Sequence, residues 1–187
     1  MIVFNLFAEC VGKAPTLFSQ PSYITKVVFP LEVLSAVAVG AAGFHACTSL
    51  AVLAGFELIA TGSIPATALW LPVVWLPLAL GCLALCWLLS ALGVFLRDLP
   101  QLVSVGLSVL MFLSAVFYPI SALPERWQPL LLANPLVLVI EQTRRVLVRG
   151  EAPGLLYLLA GIPLSWIACE LGFRLFQKAR RGFADVI

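Results

Sequence analysis

Apolar positions run through this chain in long tracts, and charges mark the ends of those tracts. Residues 33–56, 58–96, 99–124 and 152–169 contain no Asp, Glu, Lys or Arg. A helix that crosses a bilayer needs roughly 20 apolar residues. The first tract predicts one span over 33–60. The second is too long for one helix, and Thr61-Gly-Ser-Ile-Pro65 is a turn signal. The next span is therefore expected from Thr67 to Leu96. A third begins after Pro100 and ends near Phe117, and a last covers 154–173. Residues 1–10 are apolar but too few to cross, and they read as the tail of a span whose beginning is absent. They lack the basic leading region of a signal peptide, and Glu9 sits at their end.

The stretch between the last two spans breaks the pattern. Residues 130–140 are almost wholly apolar yet too short to span, and Pro119, Pro124, Pro129 and Pro135 divide the region. Asn134-Pro135 signals a helix start, after which Leu136, Ile140, Thr143 and Leu147 recur at helical spacing. Two short helices dipping into the membrane as a re-entrant hairpin fit this pattern. Such backbone is tolerated at membrane depth only against protein or a water-filled cavity. The plainer reading is an amphipathic helix lying on the surface. The expected fold is thus all-α: a polytopic membrane protein of about four full transmembrane helices, a partial N-terminal one and the extracytoplasmic hairpin.

Basic residues orient the spans. Lys13, Lys26, Arg97, Arg174, Lys178, Arg180 and Arg181 fall on one side. The short loop around residues 61–66 has none, and Arg126, Arg144, Arg145 and Arg149 share the long loop with Glu125, Glu141 and Glu151. The positive-inside rule makes the first side cytoplasmic, with both ends of this chain there.

Composition narrows the function. The chain has 187 residues, 62% hydrophobic and 11% charged, with a mean hydropathy of +1.08. A soluble domain is about 45–50% apolar and ~25% charged, so a soluble enzyme and a disordered chain are excluded. Eleven basic against nine acidic residues give +2, too little to attract nucleic acid. There is no phosphate-binding GxxxxGK[ST] or GxGxxG loop and no HExxH zinc motif. The five cysteines include no CxxC pair, and a single histidine cannot complete a zinc site with them. Cys82 and Cys86, one helical turn apart, read as small apolar residues packed between helices. The chain itself is expected to catalyse nothing and to need no cofactor. If it moves something actively, the energy comes from a partner.

Several local features carry both a plain and a functional reading. In Lys26-Val-Val-Phe-Pro-Leu-Glu32, Pro30 can open a helix and Glu32 suits its positive end. Arg97-Asp98-Leu-Pro100 is a tight turn between two spans, either a topological stop or a rigid elbow. His45 lies near the middle of a span, where an ionisable group is a functional candidate by default. Its plain reading is a neutral imidazole bonded to a neighbouring helix. Glu170 and Arg174 are spaced as an i,i+4 ion pair. Trp70, Trp75, Phe112, Phe117, Tyr118, Trp127 and Tyr157 cluster toward the outer half. They fit an interfacial aromatic belt, or a stacking surface for the apolar faces of sugars.

These elements, taken in order, resemble the membrane subunit of ABC-2 type exporters of lipid-linked polysaccharides such as O-antigen, capsule or teichoic acid. The likeness rests on residues 26–32, Phe95-Leu-Arg-Asp98, Phe117-Tyr-Pro-Ile120 with Leu123-Pro-Glu125, Asn134-Pro-Leu136, Arg144 and Phe183-Ala-Asp185. It covers essentially the whole chain as a single transmembrane domain, 1–187. It implies a cytoplasmic coupling segment over 11–32, with Lys26, Phe29, Pro30 and Glu32 at or beside an ABC ATPase subunit. It implies a cytoplasmic elbow at Arg97 and Asp98. It implies an extracytoplasmic gate hairpin over 118–150 that includes Tyr118, Pro119, Trp127, Asn134, Pro135, Glu141 and Arg144. ATP would be bound and hydrolysed on the partner, and two copies of the permease would form the conduit for lipid-linked glycan in the inner membrane. Relative to the family, the chain begins inside what would be the second span, without the N-terminal interface helix and first span. Alternatives are an ABC-2 permease for a drug or small lipid, a truncated remnant or membrane scaffold, and an integral membrane enzyme, which the lack of clustered catalytic side chains disfavours.

Overall fold

The computed structural model describes residues 1–17, 31–114, 116–117, 126, 131, 133–180 and 182–183, and among these only helices and turns occur. We number the helices α1 (Ile2–Lys13), α2 (Leu31–Thr61), α3 (Leu71–Phe95), α4 (Leu99–Leu113), α5 (Pro135–Leu147) and α6 (Leu155–Arg180). Short 3₁₀ turns, Ala14–Thr16 and Ala66–Trp70, follow α1 and precede α3.

The ends of these helices follow from their sequence. Pro72, Pro100 and Pro135 sit in the first turns of α3, α4 and α5, where a missing amide hydrogen costs nothing. Gly62 and Gly150, at φ 74° and 67°, take the left-handed conformation that closes α2 and the turn after α5. The Gly62 amide donates to the Leu58 carbonyl at 2.9 Å, and the Glu151 amide to that of Arg145 at 3.1 Å.

Three helices are long and apolar enough to cross a membrane: α2, α3 with its leading turn, and α6. They match the expected spans 33–60, 67–96 and 154–173, except that α6 runs on through Arg180. The third expected span is shorter than its apolar tract. α4 stops at Leu113, and its 15 residues cover ~22 Å against the ~30 Å of a hydrocarbon core. The cause is a side-chain cap. Ser114, fully buried, donates its hydroxyl back to the Leu110 carbonyl at 2.6 Å, and Asn134 Nδ2 donates to the Leu113 carbonyl at 3.4 Å. The terminal carbonyls are satisfied without another helical turn.

α3 is the axis of the bundle. α6 runs parallel to it, from Tyr157 beside Val74 to Phe183 beside Phe95. The two backbones touch at Gly172: a Cβ there would lie 2.8 Å from the Ala84 carbonyl oxygen. α1 also runs parallel to α3. Cys86 Sγ donates to the Cys10 carbonyl at 3.3 Å, and a Cβ on Gly93 would overlap the Pro15 carbonyl oxygen. Small residues that admit close backbone approach are how helices associate in lipid, where burial from water supplies no drive. Cys10, Cys82 and Cys86 are all buried and free, as small apolar packing residues would be. α2 runs antiparallel to α3, from Leu31 near Trp87 and Ala91 to Leu50 near Leu71 and Val74. Its outward face is apolar and open, with Phe56 and Ile59 exposed, as befits a lipid-facing or partner-facing surface.

α5 packs its apolar face on the bundle. Its Leu136, Val139 and Ile140 are buried in one cluster with Val3 and Phe4 of α1 and Leu78 and Cys82 of α3. One face of α5 is thus packed against protein. The other arm of the expected hairpin lies outside the described residues.

Candidate functional site

The candidate positions gather at the two ends of the bundle. At the basic end, the first turn of α2 meets α3 and α6. Glu32 Oε2 accepts a hydrogen bond from Arg180 at 3.0 Å, and the Glu32 carbonyl accepts one from Trp87 Nε1 at 3.0 Å. Beneath them Leu31, Trp87, Ala91, Phe176 and Phe183 form a buried apolar cluster. Trp87 and Phe173 pack with ring centroids 5.0 Å apart, and Phe176 meets Phe183 edge-on at 6.1 Å. Glu32 is therefore partly engaged within its own chain. Its side chain is 25% exposed and that of Arg180 41%, so the pair is partly screened and contributes at most ~1 kcal/mol. Lys26, Phe29 and Pro30 lie outside the described residues.

Arg97 and Asp98 stand beside this joint, both exposed, in the three-residue link between α3 and α4. Leu96 is extended, the Leu99 amide donates to the Leu96 carbonyl at 3.2 Å, and Asp98 caps α4 by position without a side-chain bond. The tight turn expected here is present. Farther along α6, Arg174 donates to Glu170 at 2.8 Å, as their spacing predicts.

At the opposite end, α5 is held by polar contacts on every side. Asn134 is its N-cap: Oδ1 accepts from the Leu136 amide at 3.0 Å while Nδ2 donates to Ser114 Oγ at 3.3 Å. One amide thus starts α5 and fastens it to the end of α4. Arg144 donates to the Val116 carbonyl at 3.2 Å and lies 3.7 Å from Glu141 Oε2. The other Glu141 oxygen accepts from Arg149 at 2.6 Å. Pro135 provides the first turn. Tyr118, Pro119 and Trp127 lie outside the described residues, so of the positions expected at the gate Asn134, Pro135, Glu141 and Arg144 are the ones brought together here.

Other anchors of α5 carry no motif in the sequence. Trp75 Nε1 donates to Thr143 Oγ1 at 3.1 Å, Thr67 Oγ1 to the Val146 carbonyl at 2.7 Å, and the Gly154 amide to Gln142 Oε1 at 2.7 Å. The Tyr157 hydroxyl donates to the Val74 carbonyl at 2.8 Å. Thr67 and Gln142 are ordinary loop and helix residues that no periodicity singles out, and the helical repeat places Thr143 on a face of α5 without naming its partner. The outer aromatic group divides accordingly. Trp75 and Tyr157 direct their polar tips into the bundle, whereas Trp70, Phe112 and Phe117 are exposed. A single belt or a single stacking surface does not describe all of them.

Among the described residues, no group of three or more His, Cys, Asp or Glu side chains is placed to hold a metal ion. The arrangement at both ends of the bundle is one of polar and apolar joints between helices.

Comparison with known proteins gives this architecture a family. Two O-antigen export system permease proteins RfbA of Klebsiella pneumoniae are each 26% identical to it over 178 residues, 92% of this chain and 66% of theirs. The protein of the same description from Myxococcus xanthus is 30% identical over 181 residues, 94% of this chain and 68% of its own. The chain thus spans about two thirds of the length of the curated relatives it matches. Residues 1–148, from α1 through the end of α5, match the ABC-2 type transporter family. With apolar helices joined at both ends and a membrane-crossing α6 beyond them, this chain belongs to the ABC-2 type transporters, as a multi-pass membrane subunit of transport.

Proposed function

We propose that the chain is the permease part of an ATP-driven exporter of lipid-linked polysaccharide across the inner membrane. The observation that carries this reading is likeness to O-antigen export permeases over 92–94% of the chain. On this reading a separate ABC ATPase binds and hydrolyses ATP, and the permease holds no cofactor. Two permease copies enclose the path, and both ends of this chain face the cytoplasm at the basic end of the bundle.

The parts take roles in this reading. Residues 11–32 receive movement from the ATPase. The elbow at Arg97 and Asp98 passes it between α3 and α4. The 118–150 segment, with α5 as one arm, closes the outer mouth, and its bonds at the C-terminal end of α4 tie the gate to the span that moves. The experiment is a deletion of this reading frame in the source cell. The chain as given, or a version extended upstream, is then added back. Surface polysaccharide should fall and lipid-linked glycan accumulate inside, with rescue by at least one version. Unchanged glycan in the deletion strain would favour a different ABC-2 cargo.

The coupling role has its own test. Lys26→Glu with Glu32→Lys should lower co-purification of the ATPase several-fold while leaving membrane insertion unchanged. Because Glu32 also pairs with Arg180, Arg180→Gln is the control. If it lowers co-purification equally, the effect belongs to the pair inside the chain and not to the ATPase contact.

A further inference from the structure

A polar contact joins α1 to α2 along the open face of the bundle, with the His45 side chain 61% exposed and that of Glu9 23%. His45 Nδ1 lies 2.9 Å from both carboxylate oxygens of Glu9. Lys13, the last residue of α1, donates to the same carboxylate at 2.7 Å. A carboxylate only accepts, so Nδ1 carries the proton and donates it. Glu9 precedes Cys10, which rests against Cys86, nine residues or ~14 Å from the end of α3. His45 is fourteen residues or ~21 Å into α2. The cluster thus sits well inside the span, where ionisable groups are costly and rarely idle.

We propose that Glu9 and His45 form a clasp that makes α1 and α2 move as one body around the connection between them. Three features support this. First, the apolar α1–α2 contact includes small residues on the α2 side: Ala42 and Ala46 are buried, with Val39 packed beside them, in one cluster with Val3, Phe4 and Leu6 of α1. Such a surface permits one helix to slide along the other, whereas a paired polar group fixes the register, the best-attested use of such pairs. Second, the carboxylate is shared. Through Lys13 it grips the end of α1, and through His45 it grips α2 far above its start. A displacement of residues 14–30 therefore reaches α2 at its middle as well as at Leu31. Third, the open face of α2 offers the helix little other restraint: Phe44 beside His45 and Val52 two turns farther on are exposed, as is His45 itself. Glu9 and His45 are positioning residues, and their role rests on the reading of 11–32 as the coupling segment.

The test uses the permease co-expressed with its ATPase and reconstituted in membranes, with Glu9→Gln, His45→Gln and the exchanged pair Glu9→His/His45→Glu. The single variants should insert and co-purify with the ATPase at unmodified levels. Glycan exported per ATP hydrolysed should fall about tenfold in each, the effect of losing a strong interhelical hydrogen bond, and the exchanged pair should recover most of it. A merely structural pair would lower the amount of complex, not the ratio. Single variants within about twofold of the unmodified complex, or an exchanged pair no better than the singles, overturn the clasp. If the unmodified complex hydrolyses ATP but exports no glycan, it is the cargo reading that fails. The clasp is then read from stimulation of ATP turnover by the permease, lost in the singles and regained in the exchange. Stimulation that is unaffected in the singles overturns the clasp.

Discussion

Replacing Gly172 with leucine is expected to remove most of the folded protein from the membrane. A Cβ at this position would stand 2.8 Å from the Ala84 carbonyl oxygen and 2.9 Å from the Ala84 Cα. Those are backbone atoms of α3, and no rotamer change relieves the overlap. α6 must move away from α3, and several contacts depend on its present distance. Trp87 meets Phe173 at 5.0 Å between ring centroids, Phe176 is fully buried beneath α2, and the Tyr157 hydroxyl reaches the Val74 carbonyl. Overpacking in a soluble core costs about 1–3 kcal/mol, occasionally more. Here the whole helix shifts in a medium where packing itself supplies the association energy. Gly172→Ala should reduce the yield of monodisperse protein in detergent several-fold, and Gly172→Leu should nearly abolish it. Leu171→Phe, on the exposed neighbouring face, should have no effect. Wild-type yield from Gly172→Leu would mean that α3 and α6 do not approach as closely as described.

That contact illustrates what the sequence discloses and what it hides. Long charge-free tracts place α2, α3 and α6 directly, because lipid imposes a length and forbids charge. Pro and Gly mark their ends through backbone geometry alone, as at Gly62 and Pro135. The amphipathic repeat of α5 is equally visible, and so is the Asn134-Pro135 start, since N-capping is local. Helix faces are another matter. In an almost uniformly apolar helix no polar stripe says which side meets a neighbour. The partners of Gly93 and Gly172 were thus invisible, and so was the division of the aromatics between bundle and exterior. Side-chain caps made from distant residues also escape a linear reading. α4 ends at Leu113 because Ser114 and Asn134 satisfy its carbonyls, whereas the apolar tract itself continues to Phe117 and beyond. The reading of His45 as an imidazole bonded to a neighbouring helix agrees with the structure, but its partner, Glu9, lies 36 positions away and was not identifiable from spacing.

Arg144→Leu is expected to impair export far more than assembly. The Arg144 guanidinium donates to the Val116 carbonyl at 3.2 Å from a side chain only 30% exposed. Val116 itself is buried, so leucine would leave a buried carbonyl without this donor, a loss of about 1–3 kcal/mol. The loss falls on the joint between the end of α4 and α5, not on the bundle. α5 keeps its apolar face against α1 and α3, Trp75 still reaches Thr143, and Glu141 still holds Arg149. Insertion and ATPase association should therefore be unchanged. On the proposed export function, surface polysaccharide should fall about tenfold, equivalent to ~1.4 kcal/mol in the equilibrium of the proposed gate. Arg144→Lys, which keeps one donor but not the planar fork, should fall between. Asn134→Ala should act in the same direction, since it removes both the cap of α5, worth about 1 kcal/mol, and the bonds to Leu113 and Ser114. Asn134 and Arg144 grip neighbouring residues at the C-terminal end of α4, so the double variant should be less impaired than the product of the singles. Normal surface glycan in Arg144→Leu, or a parallel loss of the protein itself, would remove this joint from the gate. Strict multiplicativity of the two variants would show instead that each acts alone, and that α4 and α5 do not open as one unit.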